Sequence, residues 1–399
     1  MLFKLGARNL KHNKLMNLLT VLQMSATFII LISMISTVIS RFTYYIPVKE
    51  FLDKKGNFYT VFNVINPDTG VTLRSTDEIY KLLGGEKEIT AQYSVWLKYE
   101  KGEKTDRFIS YDDKYAEIFT PELECGHWFK TDSTVHETIP VVVSQNDYGL
   151  KPGDIINLSC FDNKVKGEII GVLSEDTKIF LFPDNFDAKV DFRTFYRNYS
   201  YEREESVLFL MQQKDLLDKQ VIMQLNGNVM INYPDSISDE IIENDVRKMK
   251  SLNTLRFESS DKMKKNSIEF ILSQINGVLP VFICIVILTL VGSASISALS
   301  ARHQLKNYAV YYICGLKWMN CAWVNFFSSL LCVSASLFLS IGGIFVLQIN
   351  GLLKNTVIEL GFFQISGCIA VSLLYIGFSM ILPMRIIGKN TPAQILKSN

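Results

Sequence analysis

Apolar residues in this chain are concentrated in four long runs. Residues 15–40, 270–301, 319–353 and 360–384 contain no Asp, Glu, Lys or Arg. Each run exceeds the roughly 20 apolar residues that cross a hydrocarbon core. The pattern predicts transmembrane helices over 15–40, 270–301, 319–349 and 362–384, with a short outer loop over 350–361. The first run is too long for the roughly 7–15-residue core of a secretory signal, and no A-x-A site closes it, so it reads as a signal anchor.

Residues 41–267, between the first two runs, follow a different rhythm. Short β-branched stretches at 58–65, 139–144, 154–161 and 166–173 are bounded by turn residues and predict strands. "KPGD" at 151–154 is turn chemistry, with Pro152 presetting φ and Gly153 free to take a positive one. Residues 238–252 predict a helix with Ser238 as N-cap and acids in its first turn. The block reads as one α+β domain without repeats.

Charge orients this arrangement. Residues 1–14, an amphipathic segment, carry Lys4, Arg8, Lys11 and Lys14. Residues 302–318 carry Arg302, Lys306 and Lys317, and the tail 385–399 carries Arg385, Lys389 and Lys397. None of the three segments contains an acid. Residues 41–273 instead hold 30 basic and 39 acidic residues, a net of −9. The positive-inside rule makes the basic segments cytoplasmic, both termini included, and the 41–267 domain extracytoplasmic. Lys262, Lys264 and Lys265 lie just outside the second run, which long translocated domains tolerate. That compartment excludes nucleic acid as a partner.

Catalytic signatures are missing. "LLGGEKEIT" (82–90) has glycines without P-loop spacing, and neither G-x-S-x-G nor H-E-x-x-H occurs. Cys125, His127 and His136 lack the paired spacing of a structural zinc site, so no metal is expected. Cys125 and Cys160 are too few for a disulfide framework, and a single bridge between them stays open. Acids are absent from all four runs, which argues against proton-coupled transport. Any driving energy must come from another chain.

Two features carry candidate function. Phe180, Phe182, Phe186, Phe192, Phe195, Tyr196, Tyr199 and Tyr201 alternate with Lys178, Lys189, Arg193 and Arg197. This is either a recognition surface for an apolar or peptidic substrate or a strand and loop packing on a small core. Small residues also line the second run (Gly292, Ser293, Ala294, Ser297, Ala298, Ala301) and the third (Ser328, Cys332, Ser336, Ser340, Gly343), a helix-packing signal. Four helices enclose little alone, so a second membrane subunit is expected.

The order of motifs resembles the FtsX-like permease family, the class of the MacB and LolCDE transporters. The carrying stretches are "GARNLKHNKLMNLLT" (6–20), then "CGHWFK", "IPVVVS", "LKPGDIINL" and "VKGEIIGVL", and the closing "NTPAQILKS", with Pro383 where a proline usually leaves the last helix. The resemblance implies a 1+3 helix layout, a MacB-like outer domain and a bacterial plasma-membrane location. It also implies a separate ABC ATPase subunit that binds ATP and Mg, so the chain itself is no enzyme and holds no cofactor.

In such permeases a short cytoplasmic helix after the second membrane helix docks on the ATPase. The resemblance assigns that role to 302–318, through Arg302, Asn307, Tyr308, Val310, Tyr311, Tyr312 and Gly315. Gly315 matches the family glycine, Asn307 stands where glutamate is usual, and Tyr312 stands where arginine is common. The residues themselves agree with an interfacial helix, with tyrosines suited to headgroup level and Gly315 a natural stop. A plain loop lying on lipid is the alternative. Family function implies peptide, antimicrobial or lipoprotein export, with a second permease copy and an extracytoplasmic adaptor as further partners. A division-type permease activating cell-wall hydrolases, or a membrane-anchored sensor without transport, are the rival readings.

Overall fold

The computed structural model describes residues 2–12, 14–62, 65, 70, 73–103, 105–130, 135–175, 177–180, 189–201, 205–350, 352–353, 358, 360–389 and 391–397. In chain order the helices are α1 (Leu2–His12), α2 (Lys14–Asp53), α3 (Thr76–Leu83), α4 (Asp113–Ile118), α5 (Gln213–Asp218) and α6 (Asp239–Lys250). They continue with α7 (Ser260–His303), α8 (Leu305–Ile313), α9 (Cys321–Ile349), α10 (Phe362–Lys389) and α11 (Pro392–Lys397). The strands are β1 (Gly56–Val61), β2 (Glu88–Val95), β3 (Lys98–Tyr99), β4 (Arg107–Tyr111), β5 (Leu123–Gly126), β6 (Ile139–Val143) and β7 (Ile155–Cys160). The rest are β8 (Asn163–Leu173), β9 (Thr177–Ile179), β10 (Arg197–Tyr199), β11 (Leu208–Gln212), β12 (Met223–Asn232) and β13 (Thr254–Ser259). The chain divides into two compact units, one made of residues 1–42 and 271–399, the other of 43–270.

In the helical unit, α2, α7, α9 and α10 are long and apolar enough to cross a membrane. One precedes the sheet domain in sequence and three follow it. Met24, Phe28, Leu31 and Ile32 of α2 pack with Val333 and Ile344 of α9 and with Cys368, Val371, Tyr375 and Ile376 of α10. The α9 small-residue stripe makes this close approach. Ser336 donates its hydroxyl to the Val21 carbonyl at 3.2 Å, and Ser340 donates to that of Ser25 at 3.1 Å. On α7, Thr289, Ser293 and Ser297 are buried, and the Thr289 hydroxyl lies 2.9 Å from that of Thr27. Gly343 is the exception in the expected stripe, because a side chain there would meet nothing within 4 Å.

Helix ends differ from the sequence expectation. α2 continues past residue 40 to Asp53, and α7 begins at Ser260 rather than 270. Charge made these extensions look like loop, yet Tyr45, Val48 and Leu52 recur at helical spacing and are buried in the sheet unit. α10 likewise runs through Pro383 to Lys389, where a stop was expected. A proline is tolerated within membrane helices because neighbours re-satisfy the freed carbonyl. The third helix begins at Cys321, and the expected 302–318 helix is shorter, confined to α8.

The sheet unit is α+β. Among the described residues, eleven strands form one mixed sheet in the order β13-β1-β12-β2-β4-β11-β6-β8-β7-β3, with β5 paired to β8. β4–β11 and β6–β8 are parallel, and the other pairs are antiparallel. β6 and β11 are buried along their whole length, so they read as near-continuous apolar runs instead of alternating. One face carries Tyr59, Ala91, Tyr93, Val141, Phe209, Met211 and Val229 against Ile79, Leu216 and Met249. At 151–154 the expected turn forms, with Gly153 at φ +96°. Ser238 sits at the α6 N-cap but makes no side-chain capping bond. No disulfide joins Cys125 to Cys160; Cys125 is exposed on β5, Cys160 is buried on β7, and both are free.

Candidate functional site: an anchored short helix and a clasp on two long ones

In the helical unit, α8 is held from beneath and open above. Tyr308 is fully buried and packs with Cys321, Ala322 and Val324 of α9 and Ile387 of α10, beside Leu5, Leu305, Tyr311, Leu316 and Trp318. Trp318 donates its indole N–H to the Ile387 carbonyl at 2.8 Å, fixing the segment after α8 to the last turn of α10. α1 lies on α9 by virtue of Gly6, where a Cβ would stand 2.8 Å from the Phe327 Cβ. Asn17 donates to the Leu10 carbonyl at 3.1 Å and joins α1 to α2. The closing motif builds α11, which packs on α8. Thr391 and Gln394 cap it reciprocally, the Gln394 N–H donating to the Thr391 hydroxyl at 3.4 Å and the Thr391 N–H to the Gln394 side chain at 3.1 Å.

Gly315 ends α8. Its φ is +93°; its N–H donates to the Tyr312 carbonyl at 2.9 Å, and the Leu316 N–H donates to that of Tyr311 at 3.0 Å. Those two bonds are a Schellman motif, which needs a left-handed residue at this position. Arg302, Asn307, Val310, Tyr312 and Gly315 are exposed, Tyr311 is half-buried, and Tyr308 faces inward. The seven expected coupling residues therefore divide. Tyr308 anchors the helix, Gly315 shapes its end, and the open face carries Val310 and Ile313, with Lys306 and Asn307 one turn before Val310. Sequence reasoning missed Gln304 and Asn325, both buried; Gln304 Nε2, the Tyr308 hydroxyl and Asn325 Nδ2 have no hydrogen-bond partner among the described residues. Burial pushes the Tyr308 phenol pKa well up, so it stays protonated.

In the sheet unit the aromatic-basic segment folds inward. Phe180, Phe192 and Phe195 are buried and Tyr196 is half-buried, whereas Phe182 and Phe186 lie outside the described residues. Phe180 stacks on Phe119 at 4.4 Å, and Phe195 meets Phe58 at 5.1 Å and Phe51 at 6.2 Å. Phe180, Phe192 and Phe195 are therefore part of the domain's core. Fragment 189–196 grips the ends of both long helices. The Phe192 N–H donates to the Ser267 hydroxyl at 2.9 Å, and Asn266 donates to the Val190 carbonyl at 2.9 Å. Tyr45 and Tyr44 of α2 stand edge-on to Phe192 and Tyr196 at 5.9 and 5.2 Å.

The interleaved cations also find structural partners. Arg193 forms a two-point pair with Asp191, whose carboxylate is buried, and covers the Phe270 ring at 3.7 Å. Lys178 lies over the Tyr44 ring at 3.8 Å, and Lys189 reaches Glu269 at 3.4 Å. The D-x-x-T pattern at 191–194 was the visible sign of this turn. Among the described residues, no group of three His, Cys, Asp or Glu side chains could hold a metal ion.

No protein-family model matches the sequence, and neither does any curated protein. Solved structures similar to part of the chain include the periplasmic region of MacB from Actinobacillus actinomycetemcomitans, at 12% identity and TM-score 0.30, spanning 56% of this chain and 95% of that one. The extracellular domain of the ABC-type transporter YknZ from Gram-positive bacteria is similar at 12% identity and TM-score 0.28, spanning 51% and 98%. A domain of a Porphyromonas gingivalis protein designated a permease is similar at 12% identity and TM-score 0.27, spanning 52% and 89%.

Proposed function

We propose that the chain is the multi-pass membrane permease subunit of an ABC transporter of the MacB/FtsX class, in a bacterial plasma membrane with both termini cytoplasmic. A separate ATPase subunit, which binds ATP and Mg, grips the exposed face of α8. The observation that carries this reading is the division of α8 into an anchored face and an open one. A loop resting passively on lipid has no need of the Tyr308 anchor, the α11 buttress and a Schellman stop together. α2 and α7 each contribute to both units, and the 189–196 clasp binds their ends in the sheet unit, so they are the route by which a push on α8 reaches the outer domain. There the work is done on a peptide, antimicrobial or lipoprotein cargo, with a second permease copy completing the path and an extracytoplasmic adaptor assisting.

The test is copurification of the chain with an ABC ATPase subunit from the same cell. Val310→Asp combined with Ile313→Asp should abolish recovery of the ATPase and cut transport-linked hydrolysis by about a hundredfold, the loss expected when charge enters an apolar contact. Tyr308→Phe should leave both unchanged, because the buried hydroxyl it removes has no partner. Recovery of the ATPase with the double aspartate variant would remove α8 as the docking element.

A further inference from the structure

Helix α6 covers the sheet with one apolar stripe, and that stripe contains a charge. Ile242, Val246 and Met249 recur at helical spacing and join the core that includes Tyr59 and Tyr233. Asp245 lies on the same stripe and is buried. Its carboxylate accepts from Nζ of Lys87, and both side chains are only 1% exposed. Lys87 arrives from the connection between α3 and β2, where Gly84 and Gly85 take φ of +68° and +73°. Glu88, the adjacent acid, is held by Lys54 at 2.7 Å, so among the described residues the carboxylate left to Lys87 is that of Asp245. The Lys87 cation also lies 5.7 Å from the centre of the Tyr233 ring. Taking two charges out of water is costly, and an apolar pair of similar volume would pack α6 at least as well. Packing alone gives no reason for this pair.

The groups around the pair are donors. Asn57 and Tyr59 share one face of β1, being two residues apart, and Tyr233 follows β12, the strand beside β1. The two phenol hydroxyls and Asn57 Nδ2 are buried, and none makes a hydrogen bond of good geometry among the described residues. Burial pushes both phenols up, Tyr233 raises Tyr59 further, and the Asp245 charge raises both, so each hydroxyl keeps its proton near this carboxylate. Buried donors without partners cost free energy. Several of them around one carboxyl group suit an oxygen that gains charge during a reaction.

We infer that Lys87 and Asp245 condense to an intramolecular amide, with Tyr59 and Tyr233 donating to the oxyanion formed on the way. One ammonium proton passes to the carboxylate, which leaves an amine beside an acid and removes both charges from a site that solvates neither. Lys87 Nζ then adds to Asp245 Cγ, the N–C bond forms, and one Cγ–Oδ bond breaks. Two of the three ammonium protons depart with that oxygen as water, the third stays on the amide nitrogen, and no oxidant or cofactor is needed. The fold already holds the two groups in contact, which replaces a bimolecular encounter. The phenols stabilise the charge that develops on the remaining oxygen. A cavity of about 440 Å³ bordered by Lys87 and Tyr233 receives the water. The joint links residues 158 apart in sequence and ties α6 to the segment before β2, restricting the unfolded chain as any long-range cross-link does. This inference stands on the sheet unit alone and does not depend on ATPase coupling.

The test is the intact mass of the denatured full-length chain, followed by proteolysis. The wild type should weigh one water less than Lys87→Arg once the substitution itself is counted. A branched peptide containing residues 87 and 245 should survive boiling and reductant in the wild type. In Lys87→Arg, whose guanidinium keeps its proton, both segments should appear as linear peptides. Tyr59→Phe combined with Tyr233→Phe should slow formation of the joint by at least about tenfold after synthesis is stopped. Linear peptides at both positions in the wild type would reduce the contact to an ordinary ion pair and overturn the proposal, and this result needs no variant that must fold. Water loss that persists in Lys87→Arg would overturn it as well. Joining at the wild-type rate in the phenol variant would remove Tyr59 and Tyr233 from the chemistry.

Discussion

The backbone N–H of Leu316 donates to the Tyr311 carbonyl at 3.0 Å, and both side chains enter the apolar cluster beneath α8. This one relationship turns the chain sharply after α8 and sends it toward Trp318. It is available only while Gly315 holds its left-handed conformation.

Gly315→Ala should therefore loosen the end of α8 without any clash. A Cβ there meets no atom within 4 Å, so the cost is conformational alone, about 1 kcal/mol. Tryptic cleavage after the exposed Lys317 should accelerate by roughly fivefold in the purified full-length variant. Gly315→Asn should recover most of the protection, since asparagine visits that conformation readily. Equal cleavage of Gly315→Ala and the wild type would show that the Schellman turn does not control this segment.

Much of this arrangement is legible from residue order, and the remainder fails for physical reasons. Uncharged runs announce all four long helices, but their ends are hidden because 41–53 and 260–269 mix charge with a buried stripe. Lys49 and Asp53 form an (i, i+4) pair while Val48 and Leu52 turn inward. The central strands β2 and β12 escape a β-branched pattern because Gln92, Asn228 and Asn232 occupy buried positions. At the α8 site the glycine stop reads locally. The Gly6–Phe327 approach and the Trp318–Ile387 bond join segments far apart in sequence, which no local spacing encodes. The aromatic segment 180–201 is ambiguous for a different reason, since rings interleaved with cations suit a surface and a clasp equally until Asp191 and Phe270 are seen to receive Arg193.

Asp112 gives the outer domain a pH dependence opposite to that of most carboxylates. It caps α4, accepting from the Tyr115 N–H at 2.8 Å and from the Ala91 N–H. Burial raises its pKa from 3.8 to about 7, against the pull of those two amides. The folded state then binds the proton more tightly than the unfolded one. Its contribution to stability is complete below about pH 4, declines by up to about 1.4 kcal/mol per unit as pH rises toward 7, and is flat above. Hydrogen-exchange protection of the sheet amides should fall between pH 5 and pH 7 in the wild type. In Asp112→Asn, which cannot titrate, that fall should disappear; an unchanged slope would place its origin elsewhere.

The clasp on α7 makes the last prediction. The Phe192 N–H is buried and its acceptor is the Ser267 hydroxyl, while Asn266 supplies the donor for the Val190 carbonyl. Removing Ser267's oxygen strands a buried amide at a cost of about 1–3 kcal/mol, and Asn266→Ala adds a second loss on the same loop. The double variant should expose 190–199 to hydrogen exchange while leaving β6 and β11 protected, because their ladder bonds belong to the eleven-stranded sheet, which β9 and β10 do not join. Lys189→Ala is the matched control: its pair with Glu269, at 3.4 Å, is exposed and should change stability by under about 1 kcal/mol. If α7 transmits force through this clasp, the double variant should keep ATPase binding and hydrolysis near wild-type levels yet lose cargo handling. Parallel loss of hydrolysis and cargo handling would instead mean that the clasp serves folding, and transport with the loop released would show that force reaches the outer domain by another path.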